Sequence, residues 1–383
     1  MGEVCPQGGG ISSTACHTPC VERFDVVVVG AGAAGSAAAR SLAGSGRSCA
    51  LIERFELGHA AGSSHGSTRI FRLAYHHPDY VRMALRALEA WKELEDDAGE
   101  RLLIRGGGLD IGGWAAEAAA AMDEAGVSYE WLSPAEMEER WEGVRAPPGR
   151  ALFQPDAAVC MAERATSSLV RLAEQDGARV LPGTPAESIV PTGEGVEVRT
   201  ADRAFRAASV IVAAGGWTGP LLAPLGIALP LSVTQEQVLY LRREPAPPIP
   251  SVIEWTSPAT YAVADPEGAS LKVGEHHAKR EVTADDRGYE VDPASIERAR
   301  SWGRERFRGL AAEERTETCL YTNTPDEDFV IDRVGPVVIS SACSGHGFKF
   351  TPLLGKLLAE LATGAEPSVP LDRFRAGRFE GAA

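Results

Sequence analysis

The first regular pattern along the chain is a run of apolar residues followed by apolar positions at helical spacing. Phe24 to Val29 form a β-branched run, which is typical of a strand buried on both faces. An alanine-rich helix then extends to about Ala43, and "CALIE" predicts a second strand that ends at Glu53. The ordered chain is therefore predicted to open with a βαβ unit.

Later segments show the same alternation of helical and strand patterns. Helices are predicted over 79–95, 162–175, 293–308 and 352–361, and Ser133 with Glu136 frames a capping box around Pro134. Strands are predicted at "VEVRT", "SVIVAAGG", "FVID" and "PVVISS". Segments typical of a nucleotide-binding domain thus lie at both ends and in the middle, which predicts a discontinuous domain with a second domain inserted in pieces.

The charge balance narrows the classes of partner. The formal net charge is −15, whereas nucleic acids and anionic membranes demand a basic face. No apolar run reaches the ~18 residues that a transmembrane helix needs. We therefore expect neither nucleic acid nor membrane as a partner.

The N-terminal twenty residues differ from the rest of the chain. They contain Cys5, Cys16 and Cys20 but lack the basic start and apolar segment of a secretory signal. Their spacing matches no zinc pattern, so we predict a flexible extension over 1–22 and no metal site. The seven cysteines are scattered through a long chain, which favours free thiols and a cytoplasmic location.

The glycines of "GAGAAG" indicate a dinucleotide site. Gly30 permits the turn out of the strand, Gly32 lets a pyrophosphate approach the backbone, and Gly35 lets the helix pack closely. The helix N-terminus offers free N–H groups to the phosphates, and Glu53 is placed to bind a ribose diol, which disfavours NADP. The motif alone does not separate FAD from NAD. "SVIVAAGGWTGPLL", with Gly215 at the end of its strand, favours FAD.

Four further segments resemble one known family. "GSSHGSTRIFRLAY" (62–75), "LKVGEHH" (271–277), "CLYTNTPDEDFVID" (319–332) and "SGHGFKF" (344–350) resemble the monomeric sarcosine oxidase and N-methyltryptophan oxidase family of FAD-dependent amine oxidases. Their order and separation also fit, and the resemblance covers nearly everything from Phe24 onward. It implies oxidation of a secondary amino acid by O₂ to an imine and hydrogen peroxide, and the family's name implies a monomer.

The resemblance also implies the architecture, an α/β chain of two domains. One is an FAD-binding Rossmann domain of the glutathione-reductase type, and the other is a discontinuous substrate domain built on an antiparallel sheet. On this basis the FAD-binding domain is predicted to comprise 23–105, 150–230 and 318–383. The substrate domain is predicted to comprise 106–149 and 231–317.

Individual roles follow from the same resemblance. Cys319 matches the cysteine that the family bonds covalently to the flavin, so FAD is expected to be tethered there. Arg72 and Lys349 match the pair that clamps the substrate carboxylate, one as a planar fork and the other as a point charge. Lys272 matches the lysine on the flavin face where oxygen reacts, and His276, four residues on, shares its side of the strand.

The remaining site residues are also carried over from the family. Tyr261 and Tyr321 match hydroxyls of the substrate pocket, although burial in the core explains a tyrosine equally well. His65 and Arg69 match positions near the flavin ring. Gly345 and Gly347 are expected to let the backbone, and the helix that follows, approach the flavin edge where negative charge appears on reduction.

Departures from the family leave the substrate open. Val252 stands where the sarcosine-specific members have methionine, and the proline-rich loop at 245–258 matches poorly. N-methyl-L-tryptophan oxidase, oxidase of pipecolate or another cyclic imino acid, and glycine oxidase-like activity therefore remain alternatives. Outside this chemistry, "GSSHG" spells the G-x-S-x-G of a serine hydrolase. An NAD-dependent dehydrogenase and a flavin-carrying binding protein are the other rivals.

Overall fold

The computed structural model describes residues 20–244, 247–266, 270–277 and 280–379. Most of the predicted extension over 1–22, including Cys5 and Cys16, lies outside these ranges. Its last residues lie within them and belong to the first strand, which begins at Cys20 rather than at Phe24.

The helices agree closely with the apolar pattern. Their bounds are α1 Ala33–Gly44, α2 Pro78–Ala98, α3 Ala115–Ala125, α4 Pro134–Arg140, α5 Ala162–Gln175, α6 Thr218–Leu222, α7 Pro293–Arg306 and α8 Thr351–Thr363. The capping box is formed at α4, where Ser133 and Glu136 exchange hydrogen bonds. None of the described helices is both long and apolar enough to cross a membrane.

The strands form three sheets. Their bounds are β1 Cys20–Val29, β2 Cys49–Ile52, β3 Thr68–Phe71, β4 Leu103–Arg105, β5 Gly108–Gly112, β6 Glu130–Leu132, β7 Ala151–Gln154, β8 Ala158–Met161, β9 Arg179–Leu181, β10 Ser188–Thr192, β11 Gly195–Arg199, β12 Arg203–Val212, β13 Ser232–Arg243, β14 Ser251–Trp255, β15 Ala259–Ala264, β16 Ser270–His276, β17 Arg280–Glu281, β18 Leu310–Asn323, β19 Val330–Val334 and β20 Val337–Ser341.

The first sheet has a parallel centre. Its strands β9, β2, β1, β12 and β20 lie side by side in parallel, and β10, β11 and β19 extend it with antiparallel pairs. Val27 and Val28 of β1 are fully buried on opposite faces, as the β-branched run predicts. Helices α1 and α8 pack into the core on one face. Because each follows a parallel strand, β1 and β20 respectively, their N-termini lie at the carboxyl edge of these strands.

The second sheet is largely antiparallel. It has the order β18-β13-β16-β15-β14-β5-β7-β6, with β17 also pairing with β13, and only β14 and β5 run parallel. Strands β7 and the end of β18 belong to this sheet, beyond the predicted domain boundaries at 150 and 318. The third sheet is small and has the order β3-β8-β4. Its strand β3 contains the "TRIF" part of the "STRIFRLAY" segment, and Arg72 follows directly.

Candidate active site

Two adjoining cavities lie at the carboxyl edge of the parallel sheet, and the first also borders the antiparallel sheet. The first has a volume of about 200 Å³ and the second of about 770 Å³. Both are lined by Gly32, Ser63, Ser64, His65 and Gly215, so they form one continuous space. This space runs from the carboxyl edge of the parallel sheet to the inner face of the antiparallel sheet.

The glycine loop has the backbone that a dinucleotide site requires. Gly30 has a φ of +102°, which disfavours any residue with a side chain. A Cβ at Gly35 would lie 1.9 Å from the Gly30 carbonyl oxygen, so helix α1 packs directly on the turn. Ser64 Oγ accepts a hydrogen bond from the Ala33 amide at 2.9 Å and fixes the N-terminus of α1 at the cavity wall.

Glu53 lies at the second cavity, as the ribose-binding prediction requires. Its carboxylate accepts hydrogen bonds from the Ala31 amide at 2.7 Å and from the Phe55 amide at 3.0 Å. Burial would raise its pKa, but the hydrogen bonds from His59, Phe55 and Ala31 lower it. The side chain is therefore a charged acceptor that is already fixed in orientation at the cavity.

Cys319 lies on β18 in the wall of the first cavity. It faces Glu236 of β13 across the ladder. Burial raises the pKa of its thiol to about 11, so it is protonated at neutral pH. A second thiol, Cys343, lines the same cavity, where its Sγ lies 3.4 Å from the Thr322 amide nitrogen.

Arg72 and Lys349 meet at a tyrosine that the sequence did not single out. The Arg72 guanidinium lies over the Tyr75 ring, 4.1 Å from its centroid. Lys349 Nζ donates to the Tyr75 hydroxyl at 2.9 Å and to the His346 carbonyl at 2.6 Å. The three side chains thus bring two basic groups to one corner of the first cavity.

Burying two basic side chains next to each other in this corner costs electrostatic free energy. Burial, and then the neighbouring Arg72, lower the pKa of Lys349 well below its ordinary value. Only 5 % of Lys349 is exposed to solvent. Two cations held close together in such a place favour an anion between them, because the anion would relieve their repulsion.

Lys272 lies apart from this corner in the same cavity. Its Nζ donates to the Thr68 carbonyl oxygen at 2.6 Å and lies 6.0 Å from the Tyr240 ring centroid. Burial, followed by the charge of Arg69, lowers its pKa to about 7. Glu317, which was not predicted, lines the cavity nearby and accepts from the Tyr240 hydroxyl at 2.9 Å.

His276 and the two predicted tyrosines line the first cavity together. The His276 ring lies 5.8 Å from the Tyr321 ring in an edge-on contact. Burial, followed by His277, lowers the pKa of His276 well below its ordinary value, so the imidazole is neutral. Burial raises the pKa of Tyr261 and of Tyr321, so both hydroxyls remain protonated donors. As predicted, Lys272 and His276 reach the same cavity from one strand.

His65 lines both cavities, and Arg69 lines the first. Arg69 donates to the carbonyl oxygens of Ser63 at 2.9 Å and His65 at 2.6 Å, which fixes the "GSSHG" loop. Burial, followed by Arg69, lowers the pKa of His65 to about 4. The loop leads into strand β3 rather than into a helix, and Oγ of Ser64, the serine of the motif, accepts a hydrogen bond from the Ala33 amide at 2.9 Å. The serine hydrolase alternative therefore lacks its required geometry.

The "SGHGFKF" segment brings backbone to the cavity without side chains in the way. Gly345 has a φ of +73°, and a Cβ there would lie 2.3 Å from the Tyr321 ring. A Cβ at Gly347 would lie 1.7 Å from the Ala342 carbonyl oxygen. A short 3₁₀ turn, Phe348–Phe350, leads directly into α8. The segment therefore directs a helix N-terminus towards the cavity, as the sequence predicts.

Unpaired polar atoms in the cavity wall test whether a flavin fits. His65 Nδ1 and the hydroxyl oxygens of Thr322, Ser340 and Ser341 are buried without a hydrogen-bond partner among the described residues. All four residues line the first cavity. Because buried polar groups are normally paired, these atoms indicate a polar ligand. The open glycine cradle, Glu53 and these four groups fit the two ends of FAD.

The cavity corrects one expectation about specificity. Val252 is 1 % exposed and packs into the core on the α7 side, so it does not line the cavity. Its neighbours Ile253 and Trp255 do, because alternate residues of a strand face opposite sides. Among the described residues, no cluster of His, Cys, Asp or Glu is arranged to hold a metal.

Comparison with known proteins decides the family. The family model of FAD dependent oxidoreductases (DAO) matches residues 25–361. The chain belongs to this family. Its cofactor is therefore FAD rather than NAD, and the fold and the predicted resemblance are confirmed.

Named relatives cover nearly the whole chain. Monomeric sarcosine oxidase of Bacillus sp. (strain NS-129) is 33 % identical over 93 % of this chain and 97 % of its own. Peroxisomal sarcosine oxidase of Homo sapiens is 34 % identical over 93 % and 96 %. N-methyl-L-tryptophan oxidase of Citrobacter koseri is 29 % identical over 93 % and 99 %.

Solved structures agree. The open form of NikD, an unusual amino acid oxidase essential for nikkomycin biosynthesis, superimposes with a TM-score of 0.85 at 28 % identity, over 92 % of this chain and 97 % of NikD. L-proline dehydrogenase from P. horikoshii superimposes with a TM-score of 0.84 at 22 % identity, over 94 % and 99 %, and supports the fold.

Proposed function

We propose that the protein is an FAD-dependent oxidase of secondary amino acids of the sarcosine type. The observation that carries this proposal is the paired cationic corner of Arg72 and Lys349 on Tyr75, in a cavity that also contains Lys272. A carboxylate is the ligand that such a corner favours, and the sarcosine oxidase relatives support an amino acid as its source.

The carboxylate binds first in this account. The guanidinium of Arg72 offers parallel N–H donors, while Lys349 offers a compact charge. Stacking on Tyr75 keeps the guanidinium plane fixed, so little side-chain freedom is lost on binding. The substrate is thereby oriented by one end, and its amine is left to face His276 and the two tyrosines.

The amine meets neutral groups. His276 carries no charge at neutral pH and can accept a proton or a hydrogen bond at one ring nitrogen. The protonated hydroxyls of Tyr261 and Tyr321 are polar but also uncharged. Such surroundings favour the neutral amine over the ammonium ion, and only the neutral amine has a free electron pair for oxidation.

FAD, when bound, supplies a two-electron oxidation of the C–N bond and passes the electrons to O₂. The substrate loses two hydrogens and becomes an imine, O₂ gains them as hydrogen peroxide, and water hydrolyses the released imine. Lys272 is proposed to stabilise negative charge that develops as O₂ is reduced, because it is a buried, fixed cation below its pKa.

The covalent tether is part of the proposal. Cys319 Sγ is proposed to form a thioether with the flavin, which its position in the first cavity supports. Formation of this bond would replace the thiol S–H and one flavin C–H bond, and the two hydrogens with their electrons would pass to O₂ as hydrogen peroxide. Because burial raises the thiol pKa, its proton must be removed as the bond forms. We also propose that the protein acts as a monomer in a reducing cytoplasm. The thiols of Cys49, Cys160, Cys319 and Cys343 are free.

N-methyl-L-tryptophan and cyclic imino acids such as pipecolate remain the alternative substrates, since their oxidation uses the same groups. Steady-state assays test the proposal by measuring O₂ uptake, peroxide and formaldehyde with sarcosine. Equal amounts of the three support an N-methyl amino acid oxidase. Peroxide without formaldehyde from pipecolate, and no turnover of sarcosine, would support the cyclic alternative instead.

A further inference from the structure

A buried carboxylate outside the predicted site connects two walls of the cavity. Asp110 of β5 is 2 % exposed and accepts a hydrogen bond from Trp255 Nε1 at 2.8 Å. Its other oxygen accepts from Gln154 Nε2 at 2.5 Å. Burial raises the pKa of Asp110, but Arg72, Trp255 and Gln154 act in the opposite direction. Both oxygens are therefore fully engaged within the protein.

Gln154 carries this connection to the carboxylate clamp. Its Oε1 accepts from the backbone amides of Leu73 at 2.8 Å and Ala74 at 2.7 Å, directly after Arg72. Because that oxygen faces two donors, the amide nitrogen must face Asp110. The backbone that positions Arg72 and the side chain of Trp255 are thus fixed by one carboxylate.

Trp255 occupies the substrate side of the cavity. Its ring lies 5.2 Å from the Arg72 guanidinium carbon and 6.3 Å from the His276 ring, so it stands between the clamp and the neutral amine surroundings. The adjacent Ile253 continues the same wall. An indole whose N–H is paired with a buried charge has one preferred orientation, since rotation would leave both partners unsatisfied.

We propose that Trp255, held by Asp110, restricts the substrate pocket to compact amino acids and excludes side chains as bulky as an indole. The inference rests on the proposed function and narrows it towards sarcosine. The indole of Trp255 takes up space beside the clamp in a cavity of about 200 Å³. Asp110 is a positioning residue in this account, because it reaches the substrate only through Trp255 and Gln154.

Inert carboxylates test the proposal without turnover. Acetate and indole-3-acetate are titrated into the FAD-loaded protein, and their dissociation constants are read from the change in the flavin's visible spectrum. In Trp255→Leu we expect the ratio of the two constants to move about tenfold in favour of indole-3-acetate. A ratio within about twofold of wild type would overturn the proposal.

Trp302 of α7 provides a matched control. Its Nε1 donates at 2.6 Å to Glu254, the neighbour of Trp255 that faces the opposite side of β14. Trp302→Leu therefore removes an indole bonded to a carboxylate without touching the cavity, and we expect the ratio to be unchanged. If Trp255→Leu does not fold, Trp255→Phe removes the N–H and part of the volume. A smaller shift in the same direction is then expected, and no shift would contradict the proposal.

Asp110→Asn tests the positioning role. Its single oxygen cannot accept from both Trp255 and Gln154, so we expect looser discrimination between the two carboxylates with FAD content unchanged. Unaltered discrimination would remove Asp110 from the account. Failure of sarcosine oxidation in wild type would refute the proposed substrate. The ratio of the acetate and indole-3-acetate dissociation constants tests the role of Trp255 independently of turnover. Failure of acetate to bind wild type would refute the clamp and the wall together.

Discussion

Lys349 Nζ donates a hydrogen bond of 2.9 Å to the hydroxyl of Tyr75, a residue 274 positions earlier in the chain. The same ring supports the Arg72 guanidinium at 4.1 Å from its centroid. One tyrosine therefore contacts both cations of the clamp. Its hydroxyl accepts from Lys349, and the face of its ring supports Arg72. The carboxylate site is built on a contact between the segment that follows β3 and the 3₁₀ turn before α8.

Tyr75→Phe is predicted to weaken carboxylate binding. The ring under Arg72 remains, but Lys349 loses one of its two acceptors and keeps only the His346 carbonyl. Loss of a hydrogen bond to a charged group costs about 1.5 kcal/mol, which corresponds to about a tenfold rise in the dissociation constant of acetate. Spectral titration measures this change. Tyr129→Phe is the matched control, because its hydroxyl donates to Asp123 on the surface at 3.0 Å. Equal effects in both variants would contradict the role of Tyr75.

Reoxidation of the reduced enzyme by O₂ is predicted to slow as the pH rises. The folded pKa of Lys272 is lowered to about 7, so the lysine is cationic below that pH and neutral above it. Arg69 and Arg315 lower this pKa, Glu317 raises it, and a negatively charged cofactor raises it further. We therefore expect the fall at or above pH 7. Stopped-flow mixing with O₂ across pH 6 to 10 measures it, and a rate that increases with pH would exclude a cationic Lys272.

Lys272→Met is predicted to slow reoxidation by about a hundredfold, while acetate binds nearly as in wild type. The clamp is unaltered in this variant, so the two steps separate. Lys356→Met provides the control, because Lys356 forms an exposed ion pair with Glu93. An unchanged reoxidation rate in Lys272→Met would assign oxygen activation to another group.

Cys319→Ser is predicted to release FAD on acid precipitation, whereas wild type retains it. The reason is that a serine cannot form the thioether. Cys343→Ser is the sharpest control, since Cys343 lines the same cavity and is also a free thiol. Absorbance of the supernatant and pellet measures the outcome. Retention of FAD by the Cys319 variant would refute the tether at this position, and release from Cys343→Ser alone would reassign it.

Gly347→Ala is predicted to destabilise the protein and lower its FAD content. The new methyl carbon would lie 1.7 Å from the Ala342 carbonyl oxygen, so the backbone beside the cavity must move. Overpacking of this kind costs about 3 kcal/mol. Gly219→Ala in α6 meets no atom within 4 Å and is expected to be neutral or slightly stabilising. Thermal unfolding midpoints of the two variants compare these costs, and equal midpoints would contradict the close approach.

The sequence predicted the parts of the site that depend on local pattern. The glycine loop, helix α1 and Glu53 lie within one βαβ unit, so their spacing along the chain determines their arrangement. Lys272 and His276 share a face because both lie on one strand. The resemblance supplied Arg72, Lys349 and Cys319, and their position in one cavity agrees with the roles proposed for them.

Other site residues could not be predicted because they depend on pairing between distant strands. Asp110 meets Trp255 because β5 pairs with β14 in parallel, with Asp110 opposite Ile253. Glu317 reaches Tyr240 through the long ladder of β13 and β18. Tyr75 lies in a motif that the sequence shows, but its role depends on the contact with Lys349, which comes from a distant part of the chain. Val252 lies in the core while its neighbour Ile253 lines the cavity, because a shift of one residue along a strand moves a side chain to the other face.

Anaerobic addition of sarcosine to the purified, FAD-loaded protein tests the central claim most directly. We predict that the oxidised flavin absorption band is lost in wild type, and that Arg72→Gln needs a far higher sarcosine concentration for the same loss. Admission of O₂ should restore the band and yield hydrogen peroxide. A band that persists at saturating sarcosine in wild type would contradict the claim that this cavity oxidises small secondary amino acids.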